Sequence, residues 1–234
     1  MIKRRNIIKF ACLAPIMSVL NCSQSTLSTL IINNPMAGVL DMVNGGGGDW
    51  TSIAENFNKG FGIVRVESFV ILDVLAELAD ALGLAEQSAL VRGEATRLQD
   101  TGDSFGGDEL DAVSEISLST GDMIIKKTAE AEVLSAEQKV KMEKAAIKYI
   151  PSLIKGIGAA IIITKAVQSA SAAGTPGITD GVSVIRLATK IPTLGPAAVQ
   201  YITDSVEVGQ SLTEIMQTKD VAVPDTSGLV MDLA

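Results

Sequence analysis

The sequence predicts an all-α protein, an irregular bundle of five to seven helices preceded by a flexible tether. Three observations lead there. Apolar residues recur at steps of three and four over most of the chain after Thr51. Helix stop and start signals, at Gly83 and at Ser135-Ala136-Glu137-Gln138, punctuate that pattern. Only eight aromatics occur among 234 residues, while 47% of the chain is hydrophobic, so the core is aliphatic. Such a core favours helices at close approach over a large ligand cavity.

The helices follow in order. Ile63, Val66, Val70, Val74, Leu78 and Leu82 keep helical spacing, and Gly83 stands where a helix ends. Asp73, Glu77 and Asp80 form an acidic stripe on the solvated face. A shorter helix covers Ala85 to Leu98. The acidic, glycine-containing loop 100–108 departs from the EF-hand order, so it reads as structural, with Asp108 as N-cap. A third helix runs from Glu109 toward Ala131, with Gly121 its weak point. Ser135-Ala136-Glu137-Gln138 is a capping box and starts a fourth.

Beyond Tyr149 the pattern changes. Pro151 predicts a kink or restart. The run Gly156–Thr164 is apolar in nearly every helical direction, as in a core or membrane helix, but Lys155 and Lys165 bound it well short of about 20 residues. Ile157, Ile161 and Ile162 are therefore expected in the core. The stretch 170–177 breaks the helix, and Gly181–Ile191 is readable as helix or strand. Ile150-Pro151-Ser152-Leu153 and Ile191-Pro192-Thr193-Leu194 look like two similar helix starts. Pro196 suits the first turn of a last helix. Val199, Ile202, Val206, Gly209, Thr213 and Met216 form its core seam.

The N-terminus has its own logic. Met1 to Lys9 is basic, and Phe10 to Leu20 is an apolar run too short to span a membrane. Val19-Leu20-Asn21-Cys22-Ser23 then resembles the lipobox of bacterial lipoproteins, in the relaxed form of spirochaetes, since Asn21 stands where the strict pattern has Gly or Ala. The resemblance implies that Cys22 is lipidated and becomes the first mature residue. Ordinary secretion, with cleavage near Ser23-Gln24-Ser25, is the alternative. No cysteine follows Cys22, and a lone thiol in an exported chain is accounted for by lipidation. The expected domains are a signal peptide over 1–21, a lipid-anchored tether over 22–50, a helical domain over 51–219 and a frayed tail over 220–234. Four consecutive glycines, Gly45 to Gly48, lack the lysine of a P-loop and read as linker.

Composition narrows function. The chain has no histidine, which removes the commonest general base and the commonest transition-metal ligand. No catalytic, cofactor-binding or metal site is therefore expected. Loss of residues 1–21 removes Lys3, Arg4, Arg5 and Lys9 and no acid, leaving 15 basic against 27 acidic residues, a net of −12. That charge argues against a nucleic-acid partner and against electrostatic adsorption to anionic lipid. The expected role is structural or partner-binding, non-enzymatic, at the bacterial cell envelope on the outer membrane. Membrane attachment is through lipidated Cys22, and an unidentified protein is the possible partner. The alternative is a membrane-perturbing or apolar-ligand-binding protein that uses Gly156–Thr164.

Overall fold

The computed structural model describes residues 49–102 and 105–224. The leader, Cys22, most of the expected tether and residues 225–234 lie outside the described residues. What is described is all-α: α1 (Trp50–Ala81), α2 (Ala85–Thr101), α3 (Gly107–Glu130), α4 (Ala136–Ala173) and α5 (Val182–Thr218), with one 3-10 turn at Ile178–Asp180.

Local chemistry sets the helix ends. Asp49 accepts a hydrogen bond from the Thr51 N–H at 3.0 Å, so α1 begins at Trp50. Gly83, at φ +75°, ends it in a Schellman arrangement, with the Leu84 N–H on the Ala79 carbonyl at 2.8 Å. Ser135 and Gln138 form the expected reciprocal cap of α4, at 2.9 and 3.2 Å. At α3 the expectation is corrected. Gly106, not Asp108, is the N-cap, and the Glu109 carboxylate accepts from the Gly106 N–H at 2.9 Å. Lys219 closes the other end of α3, donating to the carbonyls of Ala129 and Ala131.

The prolines depart from expectation together. Pro151 lies inside α4, and Pro192 and Pro196 lie inside α5, so neither similar motif starts a helix. Gly181–Ile191 is resolved as well: α5 begins at Val182. An internal proline costs a helix about 3 kcal/mol. All three rings are exposed, while Ile150, Ser152, Leu153, Ile191, Gly195 and Ala198 beside them are buried. Packing of the flanking residues on both sides offsets the lost hydrogen bond.

α1 and α5 form the middle of the bundle. Both touch α4 on one side and α3 on the other, and α3 and α4 scarcely meet. α2 folds back on α1 and also rests on α3. Glycines make the approach close. A β-carbon on Gly60 would lie 2.8 Å from Ile163 of α4, and one on Gly156 of α4 would lie 2.8 Å from Ile202 of α5. At Gly209 of α5 the occupied space belongs to Leu153 and Tyr149 of α4, and at Gly195 to Val167. Gly121 is not a weak point but the notch that receives Val208.

These notches set opposite signs for Gly→Ala changes. Gly209→Ala gains helix propensity, but Leu153 and Tyr149 are both buried and cannot retreat. Overpacking of this kind costs about 1–3 kcal/mol, or roughly 2–4 °C of melting temperature per kcal/mol. Gly93→Ala, with open space around the site on α2, raises stability by about 0.5–1 kcal/mol. Thermal melts of the two variants check the pair of signs.

Candidate functional site

The expected lipidation residue, Cys22, lies outside the described residues. The other expected region, Gly156–Thr164, is at the centre of the fold and has two faces. Gly156, Gly158, Ala159, Ile162 and Ile163 are buried, whereas Ile157, Ala160, Ile161 and Thr164 are only half-buried. Ile157 and Ile161 were expected inside. The correction follows from position: α4 packs on α1 and α5, and among the described residues no further helix packs substantially on it. By length and composition α4 is also the one described helix able to cross a membrane, and half of its apolar stretch is buried in the bundle.

The α1–α4 boundary carries a ladder of charge. Lys141, Lys148 and Lys155 are seven residues apart, so they share one edge of α4. Lys148 reaches Glu77 at 2.5 Å and Asp73 at 3.9 Å, and Lys155 reaches Glu67 at 3.3 Å. The carboxylate of Glu77 holds the Lys148 ammonium above its usual range. Arg92 of α2 donates to Asp80 at 2.5 Å and holds that carboxyl below its usual range. The acidic stripe read as a solvated face is thus partnered by two neighbouring helices. Exposed pairs of this kind contribute about 0–1 kcal/mol each, so the ladder sets register more than stability.

Glu67 is different, because it is the one charged side chain buried in the described core, 3% exposed. The Ser152 hydroxyl donates to Glu67 Oε2 at 2.7 Å, and the Lys155 ammonium meets Oε1. Lys155 extends along α4 to water, its side chain 64% exposed. Tyr149 donates to the Ser205 carbonyl at 3.1 Å, and the Ser205 hydroxyl donates to the Tyr201 carbonyl at 2.8 Å. Side chains of α1 and α4 therefore meet at Glu67, and Tyr149 separately ties α4 to the α5 backbone, inside an aliphatic core.

Ser152 and Lys155 have the Ser-x-x-Lys spacing found in some acyl-transfer enzymes. Here Ser152 is 2% exposed, and it is this burial that closes its oxygen to an acyl donor. The arrangement positions helices and leaves no open nucleophile. Among the described residues no three His, Cys, Asp or Glu side chains stand close enough to hold a metal ion.

Sequence reading missed Glu67 because it placed the first half of the α1 seam one residue off. The buried seam is Gly60, Val64, Glu67, Ile71, Val74 and Leu78, at alternating steps of four and three. A carboxylate at a seam position was the available signal.

No protein-family model matches the chain, and neither a curated protein nor a solved structure matches it significantly.

Two expectations follow from these buried polar groups. Glu67→Ala strands the buried Ser152 hydroxyl, at about 1–3 kcal/mol. Glu67→Gln costs less, since its amide oxygen still accepts from Ser152. Denaturant titration orders the two. Burial pushes both phenols, Tyr149 and Tyr201, above the usual tyrosine range. A raised folded-state value means that their contribution is intact below about pH 10 and is lost as pH rises beyond it. These are the only tyrosines. Phenolate absorbance is therefore expected to appear together with loss of helical circular dichroism. Ionisation at an ordinary midpoint with helicity intact contradicts the burial.

Proposed function

We propose that this chain is a lipid-anchored, non-enzymatic protein of the bacterial cell envelope, held at the outer membrane by lipidated Cys22, with a helical domain that serves a structural or partner-binding role. The observation that carries the reading is the single thiol that follows the basic and apolar leader, with no other cysteine after it. The character of the domain supports it. Among the described residues its one buried carboxylate is engaged in helix packing, its tyrosines are packed away, and its polar surface holds ordinary ion pairs.

Cys22→Ser is expected to abolish lipid attachment and move the protein out of the membrane fraction, because stable anchoring needs more than one acyl chain or signal. Mass spectrometry of the parent should find acyl chains on Cys22. An unmodified Cys22 and unchanged fractionation of the variant overturn the anchor.

A second reading is favoured by α4 itself, which is long and apolar enough to cross a membrane. On that reading α4 leaves the bundle and inserts. Ile162, 1% exposed, separates the two. In the packed reading Ile162→Asp buries an unpaired charge and destabilises the domain by several kcal/mol, about as a polar group without a partner does, and the parent leaks no dye from vesicles. In the insertion reading the parent leaks dye and Ile162→Asp abolishes leakage.

A further inference from the structure

The bundle presents two unlike outer faces on opposite sides. On α4, residues 140, 144, 147, 151 and 154 fall on one solvent-facing arc by helical spacing. Val140 and Ile147 are 48% and 54% exposed there, Pro151 and Lys144 are exposed, and Ile154 is half-exposed. Lys144 makes no ion pair among the described residues, whereas the lysines at the α1 edge are engaged and Glu137 is paired with Lys141. On α3, Asp111, Glu115 and Asp122 share an arc at i, i+4 and i+11, all exposed and without an ion pair among the described residues. Met123, 39% exposed, and half-exposed Ile116 flank them. Lys126, at the end of that arc, is turned toward Glu130.

α3 and α4 each pack on α1 and α5 and scarcely on each other, so their outward faces look away from one another. One face is apolar with an exposed, unmatched cation, Lys144, and a half-buried acid, Glu143, only at its margin; the other is acidic with apolar flanks. Each has what the other lacks. From this complementarity we infer that the occupant of the α4 face is a second copy of this chain, docked through its α3 face. The contact is head-to-tail: each copy keeps a free α4 face at one end and a free α3 face at the other, and association continues as a row or closes as a ring. The apolar residues supply the buried area, and the unmatched charges supply orientation and rate. Anchoring at a membrane would raise the local concentration and let a weak contact count, but the inference rests on the two faces and not on lipidation.

Sedimentation of the full chain over a concentration series tests it. Reversible self-association that weakens with salt is expected. Lys144→Glu and Glu115→Lys, both surface changes, should keep the parent's circular dichroism melt and each weaken association about tenfold, the size of a charge contact turned repulsive. The two variants mixed in equal amounts should associate again, because the acidic α4 face of one meets the changed α3 face of the other. The double variant should recover too. A single monomeric species at every concentration overturns the inference, and so does association that neither charge reversal alters. A monomer that instead binds anionic vesicles, and loses them with Lys144→Glu, assigns the α4 face to lipid and also overturns it.

Discussion

The close seating of α4 between α1 and α5 is the constraint on which the fold depends. Two helices can bring their axes near only where one of them lacks a side chain. Here the vacancies alternate in ownership. Gly60 of α1 admits Ile163 of α4, Gly156 of α4 admits Ile202 of α5, and Gly195 and Gly209 of α5 admit Val167, Leu153 and Tyr149 of α4. Each glycine costs about 1 kcal/mol of helix propensity. The return is interdigitated aliphatic contact in a chain with few aromatics to fill space.

That seating also explains the tolerated irregularities. Three prolines sit inside helices because their rings point outward while the residues beside them are gripped. A carboxylate is tolerated in the core because Ser152 satisfies one oxygen and Lys155 brings a solvated cation to the other. The same pair of contacts fixes the register of α4 on α1, and the lysine ladder repeats it at Lys148 one heptad away.

How much of this was legible depended on whether the signal was local. The Ser135 box, the stop at Gly83 and the seam from Ile202 to Met216 were readable, since each is set by neighbours in sequence. The proline motifs misled because local backbone cost was weighed without the tertiary contacts that outweigh it. Gly121 looked like a weakness for the same reason, being a notch whose filler, Val208, is distant in sequence. The apolar run at Gly156–Thr164 was recognised, but its two faces were not, because nothing local says which helices flank it. Glu67 was missed by a seam drawn one residue off. The lipidation residue lies outside the described residues, so its reading still stands on sequence.

The central claim is that α4 is a locked core helix whose middle opens only when the whole domain unfolds. Native-state hydrogen exchange measures this directly. The amides of Gly156–Thr164 should be the slowest in the domain and should exchange with the free energy of global unfolding. Those of α2, which buries only Ser88, Val91 and Leu98, should open first. Exchange in Gly156–Thr164 as fast as in α2, under conditions where the domain stays folded, would contradict the account.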